Sequence, residues 1–107
     1  MREIHHPDVS ELDLATVLHT LGDPIRLAVV RLLADERERT CTEVGDGMGV
    51  AASTLSYHLR LLREAGVTRT RAAGTERHIS LRREDLDSAY PGLLDALVAK
   101  RPSARAA

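Results

Sequence analysis

The chain has 107 residues and a formal net charge of −1, which fits one domain and does not by itself indicate a nucleic-acid partner. Its hydrophobic residues are mostly Leu, Val and Ala, with two Tyr and no Phe or Trp, so we expect a mainly helical fold and exclude an all-β one. The single cysteine, Cys41, excludes an intrachain disulfide framework, and no apolar run reaches the ~20 residues of a membrane span; we expect a cytoplasmic protein.

The first predicted helix follows a short arm. Residues 1–7 show no apolar periodicity and end in Pro7, so we interpret them as a mobile N-terminal arm. Asp8 and Glu11 have the spacing of a capping box, in which two side chains bond the free amides of a first helical turn. The helix that they open is predicted to end at Gly22. Its apolar stripe consists of Leu14, Val17, Leu18 and Leu21.

Two more helices are predicted before residue 49. Asp23 and Pro24 suit the N-cap and first position of a second helix, which is expected to end near Asp35. Residues 36–39, with the sequence ERER, are expected to form an exposed loop. Thr40 and Glu43 repeat the capping-box spacing and open a short third helix. The core residues predicted on these two helices are Ile25, Val29, Leu32, Leu33, Val44 and Met48.

The stretch from Val50 to Gly66 has two chemically different faces. Leu55, Leu59 and Leu62 recur at steps of four and three, which places them on one face of a helix above a core. The opposite face carries polar groups that suit hydrogen bonds to phosphates and base edges. With the short helix before it, this stretch forms a helix-turn-helix pattern. The predicted DNA-contacting residues are Ser53, Thr54, Ser56, Tyr57, Arg60 and, at the flank, Arg63.

A β-hairpin is predicted after this helix. The runs at 67–71 and 77–81 are compatible with strands, and Gly74 allows the chain to turn between them. Ile79 and Leu81 share a parity and are expected to face the core. Arg71 and Arg77 are expected to hold the DNA backbone.

The C-terminal part completes the predicted domain with a short apolar helix. The expected fold is mainly α with a β-hairpin wing, a dimeric winged helix-turn-helix in the order α-α-α-α-β-β-α. Residues 8–99 form the DNA-binding and dimerisation domain, and residues 100–107 a disordered tail.

Opposite charges are separated along the chain. Residues 1–23 hold one arginine against five acids, whereas residues 51–84 hold seven arginines against three glutamates. This asymmetry predicts a basic surface on the second segment, although arginines that only solvate a helix and a hairpin would give the same pattern. We find no nucleophile with a base, carboxylate pair or phosphate-binding loop in a supporting context, so the sequence does not indicate an enzyme.

Two segments carry a family resemblance. The sequence LGDPIRLAVVRLL at 21–33 resembles the L-x-D-P-x-R-L-x-I-L-x-x-L helix of the ArsR family of winged-helix regulators. The sequence STLSYHLRLLREAGV at 53–67 is similar to the family's S-x-H-L-x-x-L-x-x-A-G-L recognition helix. The resemblance implies a homodimer whose recognition helices enter adjacent major grooves of an inverted repeat, about 34–36 Å apart. It places the interface on the first and last helices, at Leu14, Leu18, Leu93, Leu94, Leu97 and Val98.

Many family members respond to a metal, but two familiar ligand patterns are missing here. The Cys-x-Cys site would fall on Thr40 and Thr42, on either side of Cys41, and the last helix has no histidine. His5 and His6 remain on the arm, where nitrogen ligands suit Ni(II), Zn(II) or Cu(II). Two hypotheses stay open for this pair: a solvated pair with no ligand, or an arm that becomes ordered when a metal binds.

The other candidates for chemistry are interpreted as structural. Cys41 and His58 are expected to have structural roles, and His78 is expected to be exposed. The sequence therefore predicts a homodimeric regulator that binds double-stranded DNA at an inverted-repeat operator and responds to nickel or zinc. The alternatives are a winged-helix protein-interaction module and a regulator that senses no metal.

Overall fold

The N-terminal segment contains two successive helix starts. In the computed structural model, which describes residues 4–99, the capping box of Asp8 and Glu11 closes a 3₁₀ turn at Val9–Glu11. A second N-cap, Asp13, begins α1 (Leu14–Leu21). The prediction of a single helix opened by Asp8 is therefore wrong, because the backbone is extended between the two caps.

The next two helices begin where the sequence predicts. The Asp23 carboxylate accepts two amide hydrogen bonds at the start of α2 (Pro24–Leu32), which continues as a 3₁₀ turn at Leu33–Asp35. Thr40 forms its predicted capping box with Glu43 and opens α3 (Cys41–Met48). A three-residue connection leads to α4 (Ala52–Glu64), the helix that carries the two-faced stretch.

Three antiparallel strands form the wing, β1 (Arg39–Thr40), β2 (Thr68–Ala73) and β3 (Glu76–Leu81), in the order β1-β3-β2. The loop prediction for residues 36–39 is wrong at Arg39, whose backbone pairs with β3. Its guanidinium also binds the Asp35 carboxylate at 2.8 Å, which holds β1 against the end of α2.

The C-terminal part contains two helices where the sequence predicted one. The polar segment before Pro91 forms α5 (Arg83–Ala89), which buries Leu86, and α6 (Leu93–Val98) follows. The Arg83 guanidinium lies 3.1 Å from the carboxylate of Asp95 and joins these two helices. None of the helices within residues 4–99 is long and apolar enough to cross a membrane.

The core is aliphatic, as the composition predicts. Helix α2 contacts α1, α3, α4 and α6 and so lies at its centre. Of the core residues predicted on α2 and α3, three are fully buried, and Ile25, Leu32 and Met48 are half-buried. The fully buried side chains include Val17, Val29, Val30, Leu33, Val44, Leu62, Ile79, Leu86 and Leu94.

Candidate nucleic-acid interface

Helix α4 is held to the core by one face. Leu55, Leu59 and Leu62 are 4%, 6% and 0% exposed, which confirms the predicted apolar face. The N-cap residue, Ala51, provides no side-chain hydrogen bond to the first turn. The amides of that turn therefore remain available to an external acceptor such as a phosphate.

The opposite face of α4 is open to solvent. Tyr57 is 50% exposed, and the Arg60 guanidinium carbon lies 5.6 Å from the centre of its ring. Arg60 also lies 3.5 Å from the Glu64 carboxylate, an exposed pair that contributes little because water screens it. All five side chains predicted for base contact on this helix are exposed: Ser53, Thr54, Ser56, Tyr57 and Arg60.

A groove of ≈590 Å³ lies between α4 and the wing. Its floor includes Thr70 and Ile79 of the strands, and Cys41 lies at one side. Arg63 and Arg77 approach it from opposite walls. The hydroxyl groups of Ser53, Ser56 and Tyr57 complete its polar lining, together with Arg60.

Two of the three arginines that line the groove, Arg63 and Arg77, differ from the other arginines of the basic segment. Within residues 4–99, Arg63 and Arg77 have no carboxylate at salt-bridge distance, and Nε of Arg63 is buried without a hydrogen-bond partner. The other five arginines between residues 51 and 84 each have a carboxylate partner: Arg60, Arg69, Arg71, Arg82 and Arg83. Within residues 51–84, the arginines without a carboxylate partner thus lie in the groove.

The register of the hairpin separates Arg71 from Arg77. Arg77 lies opposite Ala72 and two residues before the buried Ile79, whereas Arg71 lies opposite His78. Opposite residues share a face and successive residues alternate, so only Arg77 lies on the face that packs towards α4. We predicted from the sequence that both arginines hold the DNA backbone, but the structure places them on opposite faces of the wing.

Arg71 is bound by an acidic side chain on the outer face of the wing. Its guanidinium forms two hydrogen bonds with the Glu38 carboxylate, at 3.0 and 2.8 Å, and this pairing lowers the pKa of Glu38. His78 lies on the same face, 3.4 Å from the Glu76 carboxylate, and is half-buried. The prediction that His78 is exposed is wrong, because residues of this face and of the loop before β1 cover it.

The N-terminal segment lies along the free edge of the wing. His6 accepts a hydrogen bond at Nε2 from the Thr70 amide at 3.0 Å, and the Pro7 carbonyl accepts one from Arg82 at 2.8 Å. These contacts join His6 and Pro7 to β2 and to Arg82, the residue before α5, and the mobility of the arm stays a prediction. Residues 1–3 and the predicted tail at 100–107 lie outside the described residues.

The expected metal ligands do not form a site within one subunit. His5 is exposed, and one ring nitrogen of His6 is already occupied by the Thr70 amide. No group of three His, Cys, Asp or Glu side chains suited to a metal ion occurs within residues 4–99. Burial raises the pKa of the Cys41 thiol, which disfavours the thiolate that binds soft metals.

Sequence reasoning missed a buried polar pair beneath α4. Arg26 and His58 are each 8% exposed, and their side chains lie 3.1 Å apart. Burial of His58 confirms its predicted structural placement. Arg26 lies in the first of the two quoted family motifs and His58 in the second, and this was the available sequence signal for the pair. A single sequence does not show that the two motifs contact each other in the fold.

The predicted dimer surface divides into exposed and buried parts. Leu14 and Leu18 on α1 are 44% and 47% exposed. On α6, Leu93, Leu97 and Val98 are half-buried, while Leu94 is 1% exposed. Leu94 therefore packs inside its own subunit, and its prediction as an interface residue does not hold.

Comparison with known proteins places these features in a family. Residues 21–71 match the family described as a helix-turn-helix domain. The uncharacterized HTH-type transcriptional regulator YceK of Bacillus subtilis (strain 168) is 38% identical over 84 residues, which cover 78% of this chain and 84% of that protein.

Solved structures share the fold. The transcriptional repressor BigR from Xylella fastidiosa is 30% identical, with a TM-score of 0.66 over 80% of this chain and 83% of that one. The ArsR family transcriptional regulator RHA00566 has a TM-score of 0.65 over 82% of this chain and 98% of that one, at 24% identity. The two sequence motifs, the winged helix and the similarity to known regulators agree: the chain belongs to the ArsR family of winged-helix transcriptional regulators, which bind DNA and are not enzymes.

Proposed function

We propose that the protein binds an inverted-repeat DNA operator as a homodimer and regulates transcription there. The observation that carries the proposal is the solvent-exposed face of α4, which presents hydroxyl, phenol and guanidinium groups while its leucines are buried. In the major groove, such groups donate to and accept from base edges. Ser56 and Tyr57 are the residues that we assign to base contacts.

The groove beside α4 supports a phosphate contact next to these bases. Arg63 and Arg77 face it without carboxylate partners in the described part of the chain, so neither must leave an internal salt bridge to bind a phosphate. Phosphate contacts fix the register of a protein on the duplex but carry no sequence information. We therefore assign Arg63 and Arg77 to the DNA backbone.

The exposed leucines of α1 support the homodimer. Leu14 and Leu18 lie one helical turn apart and form an apolar strip. Leu93, Leu97 and Val98 of α6 are the remaining interface candidates. In the proposed dimer, two-fold symmetry sets the two α4 helices about 34–36 Å apart, the spacing of successive major grooves.

Contact substitutions test the assignment of α4. The preferred duplex is the one that the wild type enriches from a random DNA pool. We expect Ser56→Ala and Tyr57→Phe to lower the affinity for it about threefold to tenfold, because each removes a hydroxyl that can bond a base. Affinity for random duplex should stay unchanged. Ser88→Ala, on the exposed surface of α5, is the matched control and should change neither affinity. Unchanged discrimination in both α4 variants would contradict the assignment.

A protein-interaction module is the competing function for the same fold. Fluorescence anisotropy with random duplex at low salt separates the two, because a DNA-binding regulator retains salt-dependent non-specific affinity. Absence of binding would favour the interaction module.

A response to Ni(II) or Zn(II) is a separate hypothesis, and the residues of one subunit do not fit it. A site that includes His5 and His6 needs further ligands from a second subunit, and His6 must give up its bond to Thr70 or bind through Nδ1. Calorimetric titration of the wild type and a His5→Ala/His6→Ala variant tests it. The hypothesis predicts that the variant binds the metal ion more weakly than the wild type. Equal metal affinities would exclude His5 and His6 as ligands.

A further inference from the structure

Arg26 is a buried cation that joins three helices. Its Nε donates to the carbonyl oxygen of Thr20 in the last turn of α1, at 2.6 Å. One of its terminal nitrogens lies 3.1 Å from Nδ1 of His58 on α4. The Arg26 side chain thus links α1, its own helix α2 and the helix that we assign to DNA contact.

The surroundings of Arg26 stabilise its charge without a direct ion pair. No carboxylate within residues 4–99 lies at salt-bridge distance from it. The carbonyl groups at the end of α1 supply negative potential, and the Asp23 carboxylate is near enough to feel the charge of Arg26. The Asp23 carboxylate itself accepts hydrogen bonds from the backbone amides of Ile25 and Arg26.

Two groups lie near Nδ1 of His58: the Arg26 guanidinium at 3.1 Å and, farther away, the Asp23 carboxylate at 3.9 Å. A guanidinium can only donate, so Nδ1 of His58 accepts from Arg26 and the ring proton is carried by Nε2. Because both groups are buried, loss of either partner leaves the other unsatisfied. In this contact Arg26 is therefore the donor and His58 the acceptor.

The His58 ring reaches the exposed face of α4 through Tyr57. The two rings meet edge to face, with centroids 5.3 Å apart and planes inclined at 65°. The Tyr57 ring in turn lies under Arg60. A continuous series of contacts therefore runs from the Thr20 carbonyl through Arg26, His58 and Tyr57 to Arg60.

We propose that the Arg26–His58 hydrogen bond is a positioning device that sets the orientation of Tyr57 and thereby the sequence discrimination of the protein. The proposal rests on the assignment of α4 to DNA contact. Arg26 and His58 do not touch DNA; they act through the aromatic pair. Removal of the bond should lower discrimination between sequences more than it lowers general DNA affinity, because Arg63 and Arg77 lie outside this series of contacts.

Substitutions at both ends of the hydrogen bond test the proposal. His58→Leu and Arg26→Met keep apolar volume and remove the acceptor or the donors. His58→Asn places an amide oxygen near the position of Nδ1 and should restore the bond. Arg26→Lys keeps the charge but replaces the two guanidinium nitrogens that bond Thr20 and His58 by a single ammonium nitrogen, and it serves if Arg26→Met fails to fold.

The first measurement is the ratio of affinities for the preferred and a random duplex, in variants shown by urea unfolding to be folded. We expect His58→Leu and Arg26→Met (or Arg26→Lys) to lower this ratio about tenfold, the scale of one base contact, with random-duplex affinity within about twofold of wild type. His58→Asn should keep most of the ratio. An unchanged ratio in His58→Leu and the Arg26 variant, or equal losses in His58→Leu and His58→Asn, would overturn the proposal.

A second measurement needs no DNA and separates this proposal from the proposed function. The NMR signals of the Tyr57 ring should shift in His58→Leu and in the Arg26 variants, and return towards wild type in His58→Asn. If the wild type binds no duplex, the proposed function fails. The NMR signals then still test whether the Arg26–His58 hydrogen bond sets the orientation of Tyr57. Tyr57 signals unchanged by Arg26→Met and Arg26→Lys would show that Arg26 does not position the ring.

Discussion

At the scale of single residues, the two wing arginines have different electrostatic surroundings. Arg77 faces the groove beside α4, where no carboxylate within residues 4–99 binds it. Arg71 lies on the other face, where the Glu38 carboxylate accepts hydrogen bonds from Nε and one terminal nitrogen of its guanidinium. A phosphate that binds Arg71 must displace Glu38 from this edge or bind beside its negative charge, whereas a phosphate that binds Arg77 meets no bound carboxylate.

This difference predicts unequal effects of two alanine substitutions. Arg77→Ala should weaken binding to all duplex sequences and reduce the salt slope, d log K/d log [salt], by about 1, because one phosphate contact is lost. Arg71→Ala should change both quantities less. Fluorescence anisotropy across a salt series measures them, and a larger loss in Arg71→Ala than in Arg77→Ala would contradict the assignment.

Glu38→Gln provides the complementary control. It removes the charge that holds Arg71 and should raise non-specific DNA affinity, because Arg71 then becomes available to phosphate. Glu84→Gln, another exposed carboxylate of the basic segment, has no contact with Arg71 and should give a smaller increase. Equal increases would mean that Glu38 acts only through net charge.

At the scale of elements, the N-terminal segment completes the exposed edge of the wing. β2 is an edge strand, and the Thr70 amide on its free side donates to His6. This acceptor exists only while the His6 ring is neutral. Burial lowers the pKa of His6, and nearby positive charges of Arg69 and Arg82 lower it further.

The sign of the pH dependence follows from that lowered pKa. The hydrogen bond is fully present above 6.5, the ordinary pKa of histidine, and is lost as the pH falls through the lower pKa of the folded protein. Wild type should therefore lose more stability than His6→Ala between about pH 7.5 and about pH 5. Urea unfolding at both values measures this difference. A His6 pKa above 6.5, measured by NMR titration, would contradict the account.

Gly66 fixes the junction between α4 and β2. Its φ is +86°, and a Cβ at this position would overlap Leu12 Cδ2 and contact Pro7. Gly74 has a similar φ of +64° but open space around it. A comparison of alanine substitutions at Gly66 and Gly74 therefore separates the cost of the left-handed backbone from the cost of overlap with the N-terminal segment.

We expect Gly66→Ala to destabilise the protein more than Gly74→Ala. Both variants incur the cost of a left-handed conformation, about 1–2 kcal/mol, and only Gly66→Ala adds overlap with Leu12, worth about 1 kcal/mol or more. The free energies of unfolding in urea measure the difference. Equal losses would show that Leu12 moves away without cost.

The sequence was informative where local chemistry decides the structure. The caps at Asp23 and Thr40, the apolar face of α4 and the hairpin were all predictable because each depends on neighbouring residues. The Arg26–His58 contact, the Glu38–Arg71 pair and the position of His6 were not. Each joins residues distant in sequence, so tertiary packing decides them.

At the scale of the whole molecule, the exposed strip on α1 predicts an oligomeric state. Leu14→Glu and Leu18→Glu should convert the proposed homodimer to a monomer, because each places a charge in the proposed apolar interface. Thr16→Glu is the control, because Thr16 is exposed on the opposite side of α1, two residues from each leucine. Sedimentation equilibrium measures the mass, and a wild type that is monomeric at micromolar concentration would contradict the proposed interface.

Selection of duplexes from a random DNA pool tests the central claim most directly, because it requires both the contact surface of α4 and the two-fold assembly. The account predicts enrichment of an inverted repeat whose half-site centres lie about one helical turn apart, 34–36 Å. It also predicts loss of this enrichment in a Ser56→Ala/Tyr57→Phe variant that keeps its affinity for random duplex. A pool that shows no enriched sequence with the wild-type protein would contradict the account.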